Sequence, residues 1–338
     1  MRRVTVLGAG SWGTALAVHL GRIGHDVRLW ARDPSLASDI SDRRANAVYL
    51  PDILLPDSVT VTDNLAEALQ DTELIVSAIP SHGCRAVMRA AAPFVSPRAT
   101  IVSATKGLES DTLLRMSEVI AEELGSGPAI VVLSGPSFAI EVAQQLPTAV
   151  LAASSNARAI EMVQAEFRSP YFRLYGSADV VGVELVGALK NIIAIAAGVV
   201  EGLGLGHNAL AALITRGLAE ISRLAAAAGG RRETPSGLSG LGDLVLTCTG
   251  SLSRNRHVGI ELARGRHLNE ILASMKMIAE GVNTTSAALA LGARHGVELP
   301  IATQMAAVLE GRSDVRTAVE ALMVRPQRHE AESHPASL

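Results

Sequence analysis

The chain has 338 residues, enough for two domains with ample core. Hydrophobic residues make up 48% and aromatics only 3%, so the cores must be packed with Ala, Val, Leu and Ile. A net charge of −3 with scattered arginines gives no basic stripe for nucleic acid, and two cysteines, Cys84 and Cys248, are too few for a disulfide framework.

The start, MRRVTVLGAG, runs straight into a strand-like segment and lacks the apolar core and cleavage site of a signal peptide. RRVTVLGAG reads as a strand ending in glycines, TALAVHLGRIG as a helix closed by Gly24, and DVRLWAR as a second strand. Gly8-Ala9-Gly10-Ser11-Trp12-Gly13 therefore fits G-x-G-x-x-G in the context that a dinucleotide fingerprint requires: after a strand and at the opening of a helix. The alternative is a glycine-rich turn without a ligand. The end of the second strand carries Arg32 where an acid would bond the ribose of NAD. Either Arg32 faces a 2′-phosphate and favours NADP, or Arg32 is solvated and Asp33 takes the ribose.

LIVSAIPS, ATIVSATKG and AIVVLSGPS repeat one plan, an apolar run ending in Gly, Pro or Ser, and imply parallel strands covered on both faces. PTAVLAAS and YFRLYGS are two further strand candidates. No convincing strand follows Tyr175, and from Gly182 the segments read as helices. The expected organisation is an α/β, Rossmann-type dinucleotide-binding domain over residues 1–180, an all-helical substrate-binding domain over 181–328, and a polar, disordered tail over 329–338.

Three lysines stand among the 30 basic residues: Lys106, Lys190 and Lys276. Lys190 lies in GALKNIIAIAAG, with Val186, Gly187, Ile193 and Ala194 as its helical neighbours. Such surroundings desolvate an ammonium, and a buried lysine, unlike an arginine, then loses its proton near neutral pH. The structural alternative is that Lys190 snorkels to the surface. Lys190 and Asn191 also interrupt the apolar run and argue against a membrane span. Lys106 ends a strand of the first domain, where ligands bind in such sheets. In GLSGLGDLVLTC, Asp243 taken alone reads as a helix N-cap. Ser253-Arg254-Asn255-Arg256 opens a helix, and a serine cap, free N–H groups and an arginine make a seat for a phosphate, although a short basic surface helix looks the same. The histidines form no spaced ligand pair, so no metal site is expected.

Taken together, GAGSWGTALA, SATKGLE, SGPSFAIEVA, ELVGALKNIIAIAAG, HNALAALITRGLAE, GLSGLGDLVLTCTGSLSRNR and IAEGVNTTSAA resemble the bacterial NAD(P)-dependent sn-glycerol-3-phosphate dehydrogenases over nearly the whole chain. The resemblance implies hydride transfer between a nicotinamide and C2 of dihydroxyacetone phosphate or glycerol 3-phosphate, in the cytoplasm, supplying phospholipid synthesis. It makes Lys190 the proton donor and acceptor, with Lys106 and Asp243 as its catalytic companions. Gly135, Ser137, Ser253, Arg254 and Asn255 join these three around the substrate. Ser11, Trp12, Arg32, Lys106, Ala139, Arg254, Ile278 and Glu280, with the Gly8, Gly10 and Gly13 turn, line NADP or NAD. A homodimer is expected from the large apolar helical half. The rival readings are a reductase of another hydroxy acid on the same plan, which would not need the phosphate seat, and a non-catalytic NAD(P)H sensor, which would not need Lys106, Lys190, Asp243 and Arg254 together.

Overall fold

The structure is a computed structural model that describes residues 2–277, 279–327 and 329. Ile278 and the tail from residue 330 lie outside the described residues. The strands are β1 (Arg3–Leu7), β2 (Asp26–Trp30), β3 (Ala45–Asn46), β4 (Leu50–Leu54), β5 (Val59–Thr62), β6 (Leu74–Ser77), β7 (Thr100–Ser103), β8 (Ala129–Ser134), β9 (Thr148–Ala153) and β10 (Phe172–Ser177). Eight of them form one sheet in the order β10-β9-β8-β7-β6-β1-β2-β5, and β3 pairs with β4 in a small hairpin.

The centre of the sheet is parallel, as the continuous apolar runs require, because each strand is buried on both faces. On one face Val4, Val6, Val27 and Leu29 pack with Leu16, Leu20 and Ile40 of the helices Ser11–Arg22 and Pro34–Arg43. On the other, Ile75 and Ile101 pack with Met88, Val119 and Ile120 of the helices Ser81–Ala91 and Met116–Leu124.

The runs expected to be parallel are so in β6, β7 and β8, but the further strand β9 runs antiparallel to β8 and carries β10 parallel to itself. The reason is the length of the connection. Between β8 and β9 the only helix is Ala139–Ala143, five residues long. At ~1.5 Å per residue it spans roughly 8 Å, too little to carry the chain back along a strand of about 20 Å. The sequence reading did not separate β5, which forms the other edge, or the β3–β4 hairpin, which is a sheet of its own.

The chain leaves β1 toward β2 and β5 on one side, and continues through β6, β7 and β8 on the other. Between β1 and β6 the order therefore reverses, and a crevice opens at the strands' C-terminal ends. The Gly8 turn, Ala78, Lys106 and Gly135 all lie on this rim. A cavity of about 610 Å³ lined by Arg3, Asp71 and Phe94 lies at the opposite, N-terminal end and holds none of the candidate residues.

After β10 the chain is helical, opening with Val180–Gly202. This helix is long and apolar enough to cross a membrane by composition, but 89% of that window is buried as the central core helix. Around it pack Gly206–Ala227, Asp243–Thr249, Arg254–Ala263, Glu280–Arg294 and Pro300–Leu309. Two carboxylates fasten this half to the sheet half. Glu184 accepts from Ser117 N at 2.8 Å and from Arg115 at 2.6 Å. Glu280 accepts from Ser81 N at 3.2 Å and Ser81 Oγ at 2.6 Å. Each grips a serine in the first turn of a helix, where unpaired N–H groups favour an anion.

Candidate active site

The dinucleotide turn is built by steric necessity at two of its glycines. Gly8 has φ +108°, and a Cβ there would lie 2.8 Å from Ala78 O. A Cβ on Gly13 would lie 1.8 Å from Gly8 O, so helix and turn touch only because Gly13 has no side chain. Gly10 differs, since a Cβ there would meet nothing within 4 Å. No packing within the protein requires that glycine, whereas a pyrophosphate approaching the backbone would. The helix N-terminus behind it carries no side-chain cap and no acid in its first turn, leaving its N–H groups to an anion. These residues fit a dinucleotide. Gly13→Ala is therefore expected to cost roughly 1–3 kcal/mol of stability, read by chemical unfolding. Gly10→Ala should leave the midpoint unchanged and weaken dinucleotide binding by about tenfold or more.

Ser11 Oγ donates to Met277 Sδ at 2.7 Å, bringing the segment before Glu280 to the turn. Trp12 and Ala139 are half-buried against the sheet's core, with the Ala139 helix packed on the helix that opens at Ser11. Arg32 is exposed just past β2 and has no side-chain partner among the described residues. Asp33 is committed elsewhere: its Oδ1 accepts from Ser35 N at 2.9 Å and Ser35 Oγ at 2.7 Å, capping the next helix. Those bonds hold its carboxyl below the usual range.

The two lysines meet one carboxylate. Asp243 Oδ1 lies 2.9 Å from Lys190 Nζ, and its Oδ2 accepts from Lys106 Nζ at 2.6 Å. Lys106 also donates to Gly135 O at 3.2 Å, and Ser137 Oγ donates to the same carbonyl at 3.0 Å. Lys190 does not snorkel, being only 5% exposed, and Asp243 is 2% exposed. Burial lowers the Lys190 ammonium to about 8, with Asp243 opposing the shift and Lys106 adding to it. Asp243 is no N-cap. It lies within the helix Asp243–Thr249, and Gly242 holds the cap position.

Thr247, one turn further on, was not singled out in the sequence. Its hydroxyl accepts from Lys190 Nζ at 2.5 Å and donates to Asp243 O at 2.6 Å. The Asp-x-x-x-Thr spacing, which puts both residues on one helical face, was the available signal.

Glycines bring these pieces together. A Cβ on Gly187 would lie 2.9 Å from Ser134 Oγ, where the Lys190 helix passes the end of β8. Gly198 and Gly259 let that helix cross the Arg254–Ala263 helix backbone to backbone, since a Cβ on either would fall within about 2 Å of a carbonyl oxygen (Arg256 O at 2.0 Å, Ile195 O at 1.9 Å). The crossing delivers the Ser253–Arg256 segment to the site. Ser253 Oγ accepts from Arg256 N at 3.3 Å as the helix cap. Arg256 is occupied by an ion pair with Glu201. Asn255 donates to Asn191 Oδ1 at 3.0 Å and accepts from Gly281 N at 2.9 Å, leaving one of its two N–H bonds for another acceptor. Arg254 makes no hydrogen bond or ion pair among the described residues. It is exposed to solvent, yet the protein around it lowers its guanidinium below the usual range, with Glu280 opposing. Glu280 itself is tied to Ser81.

Comparison with known proteins agrees along the length of the chain. The family models described as NAD-dependent glycerol-3-phosphate dehydrogenase N-terminus and C-terminus match residues 3–160 and 179–320. A glycerol-3-phosphate dehydrogenase [NAD(P)+] of Koribacter versatilis is 54% identical over 334 residues, covering 98% of this chain and 99% of the relative. One from Acidobacterium capsulatum is 52% identical, covering 98% and 100%. The crystal structure of glycerol-3-phosphate dehydrogenase from Coxiella burnetii superposes with a TM-score of 0.93 at 40% identity, covering 96% of this chain and 99% of that one.

Proposed function

The chain belongs to the NAD-dependent glycerol-3-phosphate dehydrogenase family, and from that premise we propose how its residues divide the interconversion of dihydroxyacetone phosphate and sn-glycerol 3-phosphate. The observation that carries the reading is the buried Lys190 joined through Asp243 to Lys106. Residues 1–180 act as the dinucleotide-binding domain and 181–328 as the substrate-binding domain.

NAD or NADP, when bound, supplies or takes up the hydride. The rest falls to the chain's own groups. Arg254 takes the substrate phosphate with a charge-assisted fork, helped by the remaining Asn255 N–H and the helix N-terminus that Ser253 caps. Ser137 and the Gly135 loop close the opposite wall. Lys106 polarises the substrate oxygens beside the nicotinamide. Lys190 hands a proton to the alkoxide formed at C2 on reduction, and takes it back on oxidation. An ammonium that ionises near pH 8 suits both directions, because it is mostly protonated at neutral pH yet loses its proton within about one pH unit. Burial excludes water that would otherwise compete for the same proton.

With NADP bound, Arg32 would be the residue to hold its 2′-phosphate, since Asp33 is spent as a cap. Arg32→Ala is expected to raise the KM for NADPH on the order of tenfold while sparing NADH. Equal effects on both would remove Arg32 from that position. The enzyme works in the cytoplasm as a homodimer and supplies glycerol 3-phosphate for phospholipid synthesis. The reading as a whole is tested by following NADPH oxidation with dihydroxyacetone phosphate beside unphosphorylated dihydroxyacetone. Turnover confined to the phosphorylated ketone is expected, and comparable turnover of both would discard the phosphate seat.

A further inference from the structure

The site contains two ammonium groups and one carboxylate, and the way they share charge has a consequence for the reaction. Each oxygen of Asp243 serves a different lysine, Oδ2 at 2.6 Å from Lys106 and Oδ1 at 2.9 Å from Lys190. With both lysines protonated the cluster carries one net positive charge in a largely water-excluded place, and it becomes neutral when one proton leaves. The lysines are not equivalent. Lys190 has 6% of its side chain exposed and Lys106 has 22%, so desolvation falls mainly on Lys190.

We propose that Lys106 is the group that keeps Lys190 able to release its proton, by drawing away half of the Asp243 charge that would otherwise hold the Lys190 ammonium. Lys106 thus acts on the proton transfer through Asp243, a positioning and tuning role separate from any contact it makes with the substrate. The inference rests on Lys190 being the proton donor and acceptor.

The other charged groups around Lys190 do not substitute for it. On the Asp243 helix the further titratable neighbour is Cys248, whose thiol burial pushes up to about 12, so it stays neutral. From the helix after Ser253 come Arg256, paired with Glu201, and Arg254, which is exposed to solvent. On its own helix, Glu184 is held by Arg115 and Ser117. Glu280 holds Ser81, and Glu220 of the Gly206–Ala227 helix caps the helix Pro300–Leu309. The lowering of Lys190 to about 8 includes a contribution from Lys106 in the direction the geometry requires.

The chain has only three lysines, so labelling lysine at its side-chain nitrogen gives three NMR signals in the intact protein. They are assigned by Lys106→Met and by Lys276→Arg at an exposed position. In Lys106→Met the Lys190 signal should titrate at least about one pH unit higher than in the wild type. In Lys106→Arg, which keeps the charge, it should stay where it was. The same displacement should appear in the pH profile of glycerol 3-phosphate oxidation, whatever Lys106→Met does to the maximal rate. An unmoved Lys190 signal in Lys106→Met would overturn the proposal, as would an equal movement in Lys106→Arg, which would indicate altered packing. If the NMR shift appears while the wild type fails to turn over dihydroxyacetone phosphate, the charge sharing stands and the functional reading falls.

Discussion

Replacing Lys190 with alanine is expected to reduce turnover about 10²- to 10⁴-fold, the range associated with a lost general acid or base. NADPH affinity should remain at the wild-type value, because the dinucleotide turn lies at Gly8–Gly13, on the other half of the molecule. Fold loss is a poor alternative explanation: in the variant, Asp243 keeps the Lys106 ammonium at 2.6 Å and does not become an unpaired buried charge. Lys190→Arg gives a sharper version. It preserves the positive charge beside Asp243 but cannot give up a proton near neutral pH, so it should be as slow as the alanine variant. Turnover and NADPH titration on the same preparations decide the matter. Loss of binding together with turnover would show that Lys190 supports the site's structure and not its chemistry.

The second large effect is expected at Arg254. Its guanidinium is exposed to solvent and makes no bond within the described residues, so a phosphate would gain a donor that gives up no existing partner. Hydrogen bonds to charged groups contribute about 1.5–3 kcal/mol, so Arg254→Ala should lower kcat/KM for dihydroxyacetone phosphate by roughly 10- to 150-fold. Most of the loss should appear in KM. Unphosphorylated dihydroxyacetone, reduced only slowly by either enzyme, should show little difference between them. An unchanged KM for the phosphorylated ketone would move the phosphate seat to other residues.

Much of this was legible in the sequence where the physics is local. The glycine turn after a strand, the succession of apolar runs and the shift to helices after Tyr175 all come from periodicity and turn chemistry within a few residues, and the structure has them in that order. Lys190 stood out for the same reason, since its helical neighbours alone predict burial. What failed depends on partners distant in the chain. Asp243 looked like a helix cap because its bond to Lys106 spans 137 positions. Ser81 and Ser117 gave no sign that Glu280 and Glu184 would grip them across the two halves. The reversal at β9 follows from a helix too short for a crossover, a matter of length that the apolar pattern of PTAVLAAS does not encode. Within Ser253–Arg256 the two arginines are indistinguishable by type. Only the pairing of one with Glu201 separates the structural residue from the one left exposed to solvent.

The claim at the centre of this account is that a buried ammonium carries the proton to and from the substrate oxygen. It is tested most directly by the pH dependence of both reaction directions in the wild type and in Lys190→Ala. Reduction needs Lys190 protonated, so its rate should fall as pH rises through about 8, and oxidation needs it neutral, so its rate should rise over the same interval. In the residual activity of Lys190→Ala that common limb should be gone from both profiles. A limb that persists at the same pH in the variant would assign the proton to another group and contradict the account.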